Sequence, residues 1–134
     1  MTALSKIEGI GPKYEVVLKK AGVASVEALL KSGSTPKGRK MLTETSGISD
    51  KLILEWVNHA DLFRIKGVGE EYSDLLEEAG VDTVVELAKR VPANLFEKMV
   101  AVNLEKKLVR QLPTLKMVAE WVAQAKTLPR VIEY

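Results

Sequence analysis

Between Pro12 and Ala21 the apolar and aromatic positions fall at Tyr14, Val17, Leu18 and Ala21, with Lys13, Glu15, Lys19 and Lys20 among the positions between them. That spacing predicts a helix with one buried stripe. Pro12 suits its first turn, where a missing N–H is not needed, and Gly22 suits a left-handed stop. The same punctuation recurs along the chain. Ser25 and Thr83 stand where short helices would start, and Thr83 with Glu86 forms a capping-box pattern. Thr35-Pro36, Ser49-Asp50, Asn94 with Glu97, and Pro113-Thr114 predict further starts, and Gly33 and Gly47 further stops. No stretch sustains the strict alternation of a half-buried strand. The chain reads as all-α, with about ten short helices by its start and stop signals.

The apolar pattern repeats. A shift of 58 residues lays Ile7-Glu8-Gly9-Ile10-Gly11 on Ile65-Lys66-Gly67-Val68-Gly69, Tyr14 on Tyr72, Leu18 on Leu76 and Ala21-Gly22-Val23 on Ala79-Gly80-Val81. Val26 then meets Val84, Leu29 meets Leu87, and Lys40-Met41 meets Lys98-Met99. Glu55-Trp56-Val57 matches Glu120-Trp121-Val122 at a shift of 65, so the second copy carries seven extra residues. Apolar positions and glycines survive the repeat while polar positions differ, as two copies of one backbone with different surfaces would show. The units expected are residues 1–61 and 62–134, about five helices each by the same signals.

Composition narrows the chemistry. The 134 residues are 46% hydrophobic and 28% charged, with a net charge of +2, the profile of a folded domain. Without cysteine there is no thiolate nucleophile, disulfide framework or thiolate metal site. A single histidine, His59, cannot supply the paired ligands of a histidine zinc site. On a predicted helix it is expected to be exposed or half-buried. No signal-like or membrane-spanning run is present, so the expected location is cytoplasmic, with no membrane partner. No lysine follows Gly69 in the manner of a nucleotide-cradling loop. No enzyme, cofactor, metal or small-molecule substrate is expected.

Each copy opens with an apolar residue, a second apolar residue three positions on, and then Gly-apolar-Gly: Leu4, Ile7, Gly9, Ile10, Gly11, and Leu62, Ile65, Gly67, Val68, Gly69. Such glycines allow positive φ and close backbone approach. The turn delivers free backbone N–H groups at a helix N-terminus, a geometry that holds a phosphate oxygen without reading base identity.

This pattern resembles the helix-hairpin-helix motif of sequence-nonspecific DNA-binding proteins, a SAM-like arrangement of short helices. Over nearly its full length the chain resembles an uncharacterised bacterial family of helix-hairpin-helix-containing domains of unknown function. The resemblance lies in Ile7 to Tyr14, Thr35 to Lys40, Trp56 to Leu62, Ile65 to Tyr72, and Leu128-Pro129-Arg130-Val131. It implies that Gly9, Ile10 and Gly11 form a phosphate-facing hairpin with Lys13 close to the same phosphate. Where such motifs commonly hold a small alanine, Glu15 and Ser73 stand here, and Glu70-Glu71 replaces Pro12-Lys13 in the second copy. Those glutamates would repel a phosphate, so Gly67, Val68 and Gly69 are expected to be structural.

Charge separates the copies further. From Lys13 to Lys40 seven cations face two carboxylates, a net of +5, whereas the matched Glu71 to Lys98 has a net of −4. Lys13 and Lys20 share one helical face, and Glu71, Asp74 and Glu78 share the equivalent face of the other copy. The expected function is non-enzymatic binding of nucleic-acid backbone, chiefly nonspecific duplex DNA. Its site residues are Gly9, Ile10, Gly11, Lys13, Lys20, Lys37, Arg39 and Lys40. The alternative is a protein-interaction module in which the acidic second unit docks a basic partner or another copy. For the plainer roles, the Lys37 to Lys40 cluster can be a solvated helix start, and Trp56 and Trp121, at apolar spacing, are expected in the core rather than under bases.

Overall fold

Proline, glycine and short hydroxyl side chains set the limits of the helices. The computed structural model describes residues 2–134; Met1, with which the expected first unit begins, lies outside the described residues. It is all-helical: a short 3-10 turn, Leu4–Lys6, precedes α1 (Pro12–Lys20), α2 (Val26–Gly33), α3 (Pro36–Ser46), α4 (Asp50–Leu62), α5 (Glu70–Glu78), α6 (Val84–Ala88), α7 (Pro92–Lys106) and α8 (Leu115–Thr127). Among the described residues there is no strand, and no helix long and apolar enough to cross a membrane.

Most of the caps follow the sequence. Side chains of Ser25, Thr35, Thr83 and Thr114 accept backbone N–H bonds from Ala28, Gly38, Glu86 and Met117, satisfying one orphan donor at each helix start. Pro12, Pro36 and Pro92 lie in first turns, and Gly22 and Gly47 take left-handed φ values of 90° and 76° at helix ends. The expected cap at Asn94 falls three residues late, since the N-cap is Val91. Pro92, with φ already fixed for a helix, begins α7 and leaves Asn94 inside its first turn. Glu86 completes only half of the capping box, because its carboxylate pairs with Arg90 at 3.5 Å.

Packing divides the described chain into two units: residues 2–61 with Val131–Tyr134, and Leu62–Arg130. In the first, Leu4, Ile7, Leu18, Leu29, Ile53 and Trp56 are almost wholly buried; a fully buried leucine or isoleucine contributes about 1.5–3 kcal/mol. Close approach of α2 to its neighbours depends on two glycines. A Cβ on Gly33 would stand 2.4 Å from Val57 Cγ2, and one on Gly38 would stand 2.0 Å from the Ser32 carbonyl oxygen. Gly33 is thus a packing contact as well as the last residue of α2. Thr2 docks on the start of α2: its N–H donates to the Glu27 carboxylate at 2.6 Å, and its carbonyl accepts from Val26. That backbone donor holds the Glu27 carboxyl below its ordinary range.

The second unit packs Leu62, Ile65, Leu75, Leu76, Leu87, Leu95, Met99 and Trp121 into its core. Its seven extra residues extend α7 to Lys106 and lengthen the loop that follows, 107–114, where the first unit has only 47–49. Lys107 takes a left-handed φ of 52° to stop the helix. Asn103 then closes the loop through paired bonds to the Val109 N–H, at 2.9 Å, and carbonyl, at 3.2 Å. The last four residues, counted with the second copy in the sequence, pack with the first unit.

Candidate nucleic-acid interface

The first Gly-apolar-Gly turn starts from the 3-10 turn and is closed by Ile7 N–H to Leu4 carbonyl, 3.0 Å, and Ile10 N–H to Ile7 carbonyl, 3.1 Å. Ile10, at its tip, is buried, whereas Glu8, Gly9, Gly11 and Lys13 are exposed. The second turn repeats the construction through Ile65 to Leu62 and Val68 to Ile65, both 3.1 Å. Gly9 and Gly67 have φ of 95° and 94°, the conformation glycine alone adopts without penalty. Gly11 and Gly69 differ: they are extended N-caps, φ −86° and −117°, and a Cβ on either would meet nothing within 4 Å. Positive φ explains the first glycine of each pair and not the second.

Beneath each turn lies a tryptophan. Trp56 is 1% exposed and Trp121 2%, as their apolar spacing predicts. Tyr14 meets Trp56 edge-on with ring centroids 5.0 Å apart, and Tyr72 meets Trp121 at 5.2 Å.

The phosphate-binding potential resides at the start of α1. Pro12 has no N–H, and the first helical bond runs from Glu15 N–H to the Gly11 carbonyl. The N–H groups of Lys13 and Tyr14 therefore stand at the end of the helix, beyond its internal acceptors. The helix dipole adds partial positive charge there, beside the exposed Lys13. At the matched start of α5 stand Glu70 and Glu71. Ser73 turns inward, donating to the Glu70 carbonyl at 3.0 Å. Gln124 further fixes that second turn, accepting from Lys66 N–H at 2.9 Å and donating to its carbonyl at 3.1 Å.

Around the first turn the other expected cations divide into two kinds. Lys20, in the last turn of α1, and Lys37 and Lys40, in α3, are exposed, and α1 packs on α3. Arg39 is half-buried and engaged. Its guanidinium donates to the Gly33 carbonyl at 2.8 Å and the Glu133 carbonyl at 2.7 Å, and lies over the Tyr134 ring at 5.9 Å. Glu133 N–H returns a bond to the Ser34 carbonyl at 2.7 Å, and Ile132 is buried. Residues 131–134 thus form a strap held by Arg39, which sequence reasoning did not anticipate. Two apolar residues and an aromatic after Pro129, namely Val131, Ile132 and Tyr134, are the hint of it in the sequence.

Other chemistry is sparse. Two open grooves of about 300 Å³ lie on the first unit, one lined by Ala21, Ser32, Gly38, Met41, Leu42 and Thr45, the other by Pro36, Arg39, Lys40, Asp50 and Leu54. Neither lining contains histidine, and only the second has a carboxylate, Asp50, set among cations. His59 is 3% exposed, more buried than its helix position predicts. In the second unit Lys106 pairs with Glu78, whose carboxylate raises the lysine pKa above its ordinary value and partly neutralises the acidic face.

The class of protein so defined is all-α and carries one glycine turn in two electrostatic settings. The chain belongs to the family described as domain of unknown function DUF4332, whose model matches residues 8–128. No curated protein and no solved structure matches it.

Proposed function

We propose that the chain is a non-enzymatic, tandem helix-hairpin-helix protein that binds nucleic-acid backbone, chiefly duplex DNA without regard to sequence. The observation that carries this reading is the start of α1. A turn with Gly9 and Gly11 exposed leads into the amides of Lys13 and Tyr14 beside the Lys13 ammonium, and the matching helix start in the second unit carries Glu70 and Glu71. Lys20, Lys37 and Lys40 supply further exposed positive charge. Arg39 holds the strap and acts through the position of α3 instead of touching phosphate. The turn Gly67–Gly69, flanked by carboxylates and clamped by Gln124, is structural.

Paired charge reversals test the assignment. Lys13→Glu should weaken duplex binding at least tenfold, because it removes a cation and places an anion at the contact. Glu71→Lys should leave binding unchanged or strengthen it. Equal losses in both variants, or equal effects of both on self-association, would instead favour the protein-interaction reading.

A further inference from the structure

The outer side of Gly9 has a single neighbour. A Cβ built there would stand 3.2 Å from Nε1 of Trp56, and apart from the residues adjoining Gly9 in the chain no other heavy atom lies within 4 Å. The missing methyl therefore leaves a notch floored by the indole nitrogen. Trp56 is 1% exposed, its ring braced by Tyr14, and its N–H donates to no acceptor among the described residues. An indole N–H only donates, and Nε1 is not among the fully buried side-chain atoms left without a partner, so the notch leaves it open to an acceptor from outside.

Gly9 itself is exposed, in the turn that leads into α1. We propose that the Trp56 indole N–H is a further donor to the phosphate oxygen held at Gly9–Gly11. The proposal rests on the nucleic-acid reading above. Glycine is then required at position 9 for two reasons: a φ of 95°, and a notch that any side chain would fill. The second unit is an internal control. Trp121 Nε1 stands 3.0 Å from the Cβ position of Gly67, but Glu70 and Glu71 flank that turn and repel an anion. The same indole has no phosphate to meet.

The test uses the full chain labelled with ¹⁵N. Its two tryptophans give two indole cross-peaks, assigned with Trp56→Phe, and a short duplex of mixed sequence is titrated in. The Trp56 cross-peak should move with the binding curve and the Trp121 cross-peak should stay, while Trp56→Phe should bind the duplex about tenfold more weakly, the loss of one hydrogen bond to a charged acceptor. If the duplex binds and the Trp56 cross-peak does not move, the inference is overturned and the nucleic-acid reading stands alone. Absence of any binding by the unaltered chain overturns both. Should Trp56→Phe fail to fold, the unaltered chain decides, with the cross-peaks assigned from its backbone resonances.

Discussion

Two glycines in the first turn carry different duties. Gly9 has a φ of 95° and faces Trp56, so alanine there meets both backbone strain and a tight contact. Gly11 is extended, with open space where a Cβ would stand. Gly38 is the most constrained of all, since a Cβ would stand 2.0 Å from a backbone oxygen. Gly9→Ala should therefore cost about 1–2 kcal/mol, and Gly38→Ala about 1–3 kcal/mol as α2 and α3 are forced apart. Gly11→Ala should cost less than about 1 kcal/mol, the difference between two weak N-caps. Denaturant unfolding of the three variants checks that order; a Gly11 loss as large as that of Gly38 would contradict it. The sequence marks glycine positions clearly, yet it does not separate a glycine kept for its φ from one kept for closeness to a neighbour. Gly33 reads as a helix stop because its packing partner, Val57, lies far along the chain.

Helix limits were legible because capping chemistry is local. Ser25, Thr35, Thr83 and Thr114 each reach an amide three residues on, so type and spacing suffice to find them. The strap was not legible for the opposite reason. Arg39 meets Glu133 across 94 residues, and it does so through a backbone carbonyl, which any residue at position 133 would offer. The cation cluster at Lys37, Arg39 and Lys40 looks uniform in sequence but contains one structural arginine between two exposed lysines. Arg39→Ala should loosen the strap, at about 1–3 kcal/mol for the hydrogen bonds lost. It should also raise amide exchange at Glu133, whose N–H is bonded to Ser34, by more than tenfold, while leaving Leu87 in the second unit protected. Unchanged exchange at Glu133 would show that the buried Ile132 and the Tyr134 hydroxyl, which donates to Asn58 Oδ1 at 3.1 Å, hold the tail without Arg39.

At the scale of the whole chain, one backbone has been given opposite charges. The repeat was readable because both copies bury the same apolar positions, Leu4 with Leu62, Ile7 with Ile65 and Trp56 with Trp121. The surface positions do not share that pattern, and the matched windows carry net charges of +5 and −4. Charge of this kind acts through counterion release. A site that neutralises about three or four duplex phosphates should give a slope of log affinity against log salt of about −3 to −4. The most direct measurement is titration of a labelled mixed-sequence duplex with the full chain at 50 and 200 mM salt, with Lys13→Glu beside it. Binding that falls by about two orders of magnitude between those salts, and that Lys13→Glu weakens at least tenfold at the lower one, is the predicted result. No binding at 50 mM, or binding that ignores both salt and Lys13, would contradict the account.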